Sequence, residues 1–459
     1  MIRPYFSDTT AGAEREAFVQ GEDGAMTALS LFLLTATVII GGLAIDVANV
    51  MTQRTHLQIT ADTAAHAALV ERVGLRIGEH RSENDAKSSA IQLASTNMPT
   101  SRFGRVLKAE DITFGYWTND PNVPLHDRFT PSPGSTRAVQ VLTARNESQG
   151  NPIATFLLRL VGVDVWNVTT PSVFETYQPA CLREGFVAEG RVDMQSNNVY
   201  LRGFCVHSNS RVSINQNNYF EAGTVVSMPD LSLLQLPNSG YERNEGLEAA
   251  LREGEVNIRI LDELENIIDG LSMADLDYMP EYVTNYLPKE ITLTGNNNTL
   301  TQDDLTEGAV HNIHCTRSGG RISIPSGDPI RDVVIVTNCR IDLSSNAQIK
   351  NSIVATTNTA SNSVTGASGS TFGADDNCAP GGGVQVITLG GMSFPANLGI
   401  FGSQFLARGD VSFAARADGI QGASIVAGGE IDATSNSTMA LCDTGMEGNF
   451  ELPYFRMAM

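Results

Sequence analysis

The chain has 459 residues, of which 42% are hydrophobic and 18% charged, with 42 glycines and a formal net charge of −21. That length exceeds one ordinary domain, and the composition excludes a wholly disordered chain while suiting a strand-rich one. The acidic residues are spread along the sequence, which excludes nucleic-acid phosphates and anionic lipid headgroups as partners of the soluble part.

Residues 1–24 are polar and are expected to form a disordered cytoplasmic tail. Ala25 to Ile45 then carries no charge and lies between Asp23 and Asp46. At a rise of about 1.5 Å per residue, roughly 20 apolar residues cross the hydrocarbon core of a bilayer, and only a helix satisfies its own backbone there. The competing reading is a cleaved secretory signal. The leader carries Asp8, Glu14, Glu16, Glu22 and Asp23 beside Arg3 and Arg15, and the apolar run is too long for a signal core. The expectation is therefore an uncleaved, single-pass anchor.

Past the span, Val50, Leu57, Ala61, Ala64 and Ala68 recur at helical spacing. The helix is expected to continue with a face of small residues, able to dock either a partner helix or the chain's own globular part. Gly74 and Gly78 end it. Ser82 followed by Asp85 marks the cap of a second helix running to about Thr96.

Asp23-Gly24-Ala25, a span containing Gly42, then Asp46, Gln53-Arg54, Leu57-Gln58 and Ala61-Asp62-Thr63-Ala64-Ala65 together resemble the TadE/TadG-like family of Flp (tight-adherence) pilus assembly. The likeness covers residues 22–70. It continues more weakly to about residue 180 through Phe114-Gly115-Tyr116-Trp117, Ala138-Val139-Gln140-Val141 and Pro152-Ile153-Ala154-Thr155-Phe156-Leu157. The resemblance implies a bacterial inner-membrane anchor, a cytoplasmic N-terminus, a periplasmic or surface-exposed body and a role in pilus assembly and adherence. Gly24, Gly42, Asp46, Gln58, Ala61 and Asp62 are the anchor and signature residues. Two departures stand out. Leu29 occupies the place where a processed pilin carries Glu, and Asp342-Leu343-Ser344-Ser345-Asn346 breaks the Asp-x-Ser-x-Ser metal motif of some relatives.

Residues 25–98 are read as the anchor and its extension, and residues 99–180 as a small α+β module of alternating strands such as DITFGYW and RAVQVLTA. Beyond Gly185 the texture becomes a repeat. RVDMQSNNVYLRG from Arg191 returns as RVSINQNNYFEAG from Arg211, and GDVSF from Gly409 returns as GEIDA from Gly429. A period of about 20 residues with Gly corners and Asn predicts a parallel β-solenoid over residues 181–228 and 289–459, the alternative being a β-sandwich. Val192 over Val212 would form an apolar column. Asn197 over Asn217, or Asn198 over Asn218, would form a ladder. Residues 229–288 read as a helical insertion on the solenoid's side, from GLEAALREGEV and the spacing of Ile258, Leu261, Leu264, Ile267, Ile268 and Leu271. TNTASNSVTGASGSTFGADDNCAPGGG is expected to project as a low-complexity loop, and the tail ELPYFRMAM to cap the last coil.

The six cysteines, Cys181, Cys205, Cys315, Cys339, Cys378 and Cys442, all lie on one side of the span, which suits disulfides in an oxidising compartment. Equal spacing favours Cys181 with Cys205 and Cys315 with Cys339, but a gap longer than the coil requires a corner or insertion to absorb the excess. His311, His314 and Cys315 lack a second pair of soft ligands, so no metal and no cofactor are assigned. Asp375 and Asp376 are adjacent acids, yet the strings of pectinase-like solenoid enzymes are missing. The expectation is a non-enzymatic, membrane-anchored pilus-assembly or adhesion component. It would contact other pilus-assembly proteins through the anchor, and a protein or glycan on the solenoid. A tethered polysaccharide-binding or -cleaving solenoid is the alternative.

Overall fold

Side chains apolar on every face and then small on one face sustain a single unbroken helix, α1 (Asp23–Val73). It opens the computed structural model of the protein, which describes residues 23–442 and 444–459. Apart from its last two residues, the tail expected over residues 1–24 lies outside the described residues. The chain divides into two compact units, one holding the described part of Met1–Val73 with His80–Thr176 and Phe455–Met459, the other Gly74–Glu79 with Tyr177–Tyr454.

In the first unit, Leu31, Phe32, Leu34 and Ile40 of α1 are exposed, whereas Leu57, Ala61, Ala64, Ala65, Ala68 and Leu69 are fully buried. Gly74, at φ +82, ends the helix where the backbone must turn left-handed. A second helix, α2 (Glu83–Asn97), starts at Ser82, whose side chain accepts the Asp85 amide at 3.1 Å. Its buried residues are Ala86, Ala90 and Ala94, so alanines on both helices share one core and the axes can approach closely. That core also takes in an antiparallel sheet of β1 (Ile112–Trp117), β2 (Phe129–Pro131), β3 (Ala138–Arg145) and β6 (Val168–Tyr177), ordered β2-β1-β3-β6. Between β3 and β6 a small hairpin pairs β4 (Ile153–Ala154) with β5 (Val165–Trp166). The expected division near residue 98 is therefore not a boundary: the outer half of α1 and α2 supply half of this core.

The second unit is a β-solenoid of short parallel strands, most coils contributing three. Gly185 pairs with Cys205, and Cys205 with Val225, which sets the 20-residue step there. Other coils differ in length: Ala309 pairs with Val333, Val334 with Ile353, and Ile353 with Gln385. The stack is entered at its middle. From Gly185 the coils run to Leu251–Glu253; the chain then leaves, resumes at Asn285–Leu293, and its last full coil, Val411–Ala427, pairs with Gly185–Ala188. Val411, Ile431, Val192 and Val212 consequently form one column, so the two echoes seen at opposite ends of the sequence are neighbouring coils.

Three expectations are corrected here. ELPYFRMAM caps no coil, because the last coil already stacks on the first; Tyr454–Met457 instead adds a fifth strand to the antiparallel sheet beside β6. The low-complexity stretch does not project along its whole length, since Val364–Gly366 and Thr371–Phe372 are ladder strands and Phe372 is fully buried. Within residues 229–288, Asn244–Glu245 and Leu251–Glu253 remain part of the stack, and GLEAALREGEV supplies one helical turn, Leu247–Ala250. The true crossing segment follows. Its helix, α3 (Leu264–Ser272), lays Leu264, Ile267, Ile268 and Leu271 over an outer column that includes Val310, Val334, Ile387 and Leu406. Covered on both faces, strands such as Val333–Thr337 are buried throughout.

The paired asparagines divide their work. Asn197, Asn217 and Asn436 hold left-handed turns at φ 62, 63 and 56, with amides linked at 2.9 and 3.1 Å on the exposed side. Asn198 and Asn218 are buried. Asn218 Oδ1 accepts the Asn198 amide at 2.9 Å, and Asn198 Oδ1 accepts that of Ser437 at 3.0 Å.

Disulfides join Cys181 to Cys205, Cys315 to Cys339 and Cys378 to Cys442. The excess of four residues is resolved in two ways. Cys181 sits on a single helical turn, Ala180–Arg183, just before the first coil. Cys315 and Cys339 span a coil that is itself longer, as the Ile313–Thr337 register records.

Asn218→Ala should destabilise the body by about 1–3 kcal/mol, since it leaves the buried Asn198 amide without an acceptor. Asn217→Gly, at an exposed left-handed turn, should change stability by less than about 0.5 kcal/mol. Chemical denaturation of the two variants checks the contrast. Replacing Cys315 and Cys339 together by Ser should cost about 3 kcal/mol by the same assay, from the loop the bond closes.

Candidate functional site

The first half of α1 has the character of a segment solvated by lipid: Phe32 and Ile40 are 69% and 70% exposed, and its apolar residues point in every direction. The helix is long and apolar enough to cross a membrane, and lies near the N-terminus. Its lipid-type half meets its packed half at Gly42 to Asp46.

Gly42 is buried there because Leu157 lies against it; a Cβ at residue 42 would stand 2.6 Å from that of Leu157. One turn on, Asp46 is 1% exposed. Its Oδ1 accepts the amide of Phe156 at 2.6 Å, and its Oδ2 those of Leu157 at 3.0 Å and Leu158 at 2.8 Å. These are the amides that open the short 3-10 turn Leu158–Val161. Asp46 thus clamps the β4–β5 loop to the helix.

Further along α1 the signature residues face the chain's own module. Gln58 Nε2 donates to Asp62 Oδ1 at 2.8 Å and to the Pro171 carbonyl of β6 at 3.1 Å. Ala61 is fully buried, and the Leu57 carbonyl accepts from Thr143 at 2.9 Å. Arg145 of β3 donates to Gln53 at 2.9 Å. The small-residue face therefore docks the chain's own globular part. Gly24 lies in the first turn of α1.

The other candidates separate. Cys315 is committed to a disulfide, His314 is exposed, and His311 is buried, its Nε2 accepting the Thr306 amide at 3.0 Å. Asp375 pairs with Arg416 at 3.4 Å, while Asp376 accepts the Ala379 amide at 3.1 Å within its own turn. Among the described residues no group of three His, Cys, Asp or Glu stands ready for a metal. The solenoid unit does carry an open groove of about 1200 Å3 whose lining includes Tyr278, Tyr282, Asp277, Glu281, Glu447 and Glu451. Burial raises the Glu451 carboxyl, against the opposing charge of Arg183. Sequence reasoning missed both the groove and the loop partner of Asp46. The one signal for the latter is that Asp46 and Phe156-Leu157 both fall within the family likeness.

Comparison with known families agrees with this division. Residues 24–71 match the family described as "Putative Flp pilus-assembly TadE/G-like", and residues 60–173 the one described as "Putative Tad-like Flp pilus-assembly". Residues 185–443, more than half of the chain, match the family described as "Domain of unknown function (DUF7867)". No curated protein and no solved structure matches the chain.

Asp46→Ala and Gly42→Leu should each release the loop of residues 155–164, read as faster limited proteolysis there with helix content unchanged. Asp46→Asn, which keeps the acceptor geometry in part, should fall between them and the parent. Ala61→Leu should instead destabilise the whole first unit by about 1–3 kcal/mol, because Ala61 is fully buried and a larger side chain there is overpacked.

Proposed function

We propose, from the premise that the chain belongs to the family described as Domain of unknown function (DUF7867) and carries it behind a Tad-type pilus-assembly region, that it is a non-enzymatic, single-pass inner-membrane component of a Flp-type pilus apparatus. The N-terminus is cytoplasmic and the solenoid periplasmic, where it offers a contact surface to a protein or glycan. The observation that carries this reading is the coincidence of the pilus-assembly match with one structural unit, built on a helix exposed in its first half and buried in its second. Three disulfides in the body fit an oxidising compartment. The groove with its tyrosines and acids is the candidate contact surface on the body.

Fractionation and protease access test the topology. The full chain should sediment with membranes, resist extraction by high salt, and yield to detergent. In spheroplasts, added protease should degrade the body, and its thiols should resist alkylation until reduced. A body protected until the spheroplasts are lysed would overturn the placement. A photo-crosslinker at the exposed Leu34 should capture pilus-assembly proteins, and failure to capture any would remove the assembly role.

A further inference from the structure

The β4–β5 hairpin carries the exposed apolar residues of the first unit that lie outside α1 but against it. Phe156 is 57% and Leu160 70% exposed, and Val161 and Val163 are exposed beside them. Single exposed apolar side chains are ordinary, but four within eight residues of one short loop are a patch that calls for a partner.

The contact with α1 sets the depth of this patch. Leu157 packs on Gly42, which lies three residues before Ile45, the end of the apolar span. At about 1.5 Å per residue, Gly42 sits roughly 4–5 Å inside the span's end. Leu157 cannot rest on a lipid-embedded glycine while its neighbours Phe156 and Leu160 stand in bulk water. The clamp at Asp46 makes that position fixed, with three amides held by one carboxylate.

The loop also pairs part of its own backbone. Four of its amides find partners inside the loop: Thr155 N donates to the Asp164 carbonyl at 3.0 Å, Leu160 N to Leu157 at 3.0 Å, Gly162 N to Arg159 at 3.2 Å and Val163 N to Leu158 at 3.1 Å. The Thr155 hydroxyl donates to the Val163 carbonyl at 2.6 Å. An amide already paired within the chain meets an apolar medium without the cost of an unmade hydrogen bond. Arg159 is long enough to reach the interface from the loop.

We propose that the hairpin loop Thr155–Asp164 is a second membrane contact, its apolar tip seated in the leaflet from which α1 emerges. The lipid bilayer is its partner, and the contact is apolar rather than electrostatic. It rests on the reading of α1 as a membrane anchor. Two points of attachment fix the angle at which the first unit stands on the bilayer, which a lone helix leaves free to rotate.

Fluorescence depth measurement tests this with the full-length chain reconstituted in phosphatidylethanolamine–phosphatidylglycerol vesicles, in a background carrying Trp117→Phe and Trp166→Phe. Leu160→Trp and Phe156→Trp report on the loop, and Phe32→Trp on the anchor. The loop reporters should emit at blue-shifted wavelengths and be quenched by brominated lipid at least about twofold more than by aqueous iodide, unchanged by high salt. Quenching by iodide and not by brominated lipid, with Phe32→Trp still quenched by lipid, would overturn the loop proposal and leave the anchor standing. Loss of lipid quenching at Phe32→Trp as well would sink the anchor reading itself. Shielding of the loop from both quenchers would mean that protein, a second copy of the chain included, covers the tip, and would also overturn the proposal. Should the double Trp replacement fail to fold, Leu160→Cys in the otherwise unaltered chain, labelled with an environment-sensitive fluorophore without reducing the disulfides, is read against the same two quenchers with the same outcomes.

Discussion

One helix must satisfy two solvents, and the first unit is built around that constraint. Over its first half α1 is apolar in every direction, so nothing in the protein is needed to cover it. Over its second half the same helix narrows to alanine on one face, and α2 answers with alanines of its own. The small side chains contribute little transfer free energy each. Their value lies in letting the backbones approach, so that a sheet with Phe114, Val139 and Val141 closes over both. The transition between the two regimes falls at Gly42 and Asp46, a residue without a side chain and a residue whose charge is wholly consumed by backbone amides.

The solenoid follows a different logic. A parallel stack leaves unpaired backbone at each open end and at any coil without a neighbour. By entering at the middle and returning its last coil onto its first, the chain gives Gly185–Ala188 partners on both sides, Cys205–Ser208 on one and the end of Val411–Ala427 on the other. The crossing segment that makes this possible is no spacer, because α3 covers an outer column of valines, isoleucines and leucine that would otherwise face water. Coil length is correspondingly loose. What is conserved from coil to coil is the register of inward side chains, and the corners absorb insertions as large as the one between Ile353 and Gln385.

Much of this was legible in the residues. Charge-free length named the anchor, a 20-residue echo named the solenoid, and Ser82 with Asp85 named the start of α2. These signals are local or periodic, and the physics behind them (solvation of a helix, stacking of equivalent strands, capping of amides) operates over a few residues or one coil. The misreadings share the opposite property. The tail follows the last coil in sequence, and adjacency places it there, whereas its hydrogen-bonding partner is Val173. The polar composition of the glycine- and serine-rich stretch reads as a loop, whereas its few apolar residues, Val364 and Phe372, fall on the inward positions.

Composition and spacing within reach of one element already mark the helix long and apolar enough to cross a membrane, the β period of the body and the recurrence of asparagine at its turns. Only the tertiary structure decided what the small-residue face packs on, which asparagine of each pair is buried, how a 24-residue cysteine spacing fits a 20-residue coil, and what Asp46 binds. Each of those rests on a contact between residues far apart in the chain. Asp46 and Leu158 are 112 positions from one another, and no local propensity carries information across that distance.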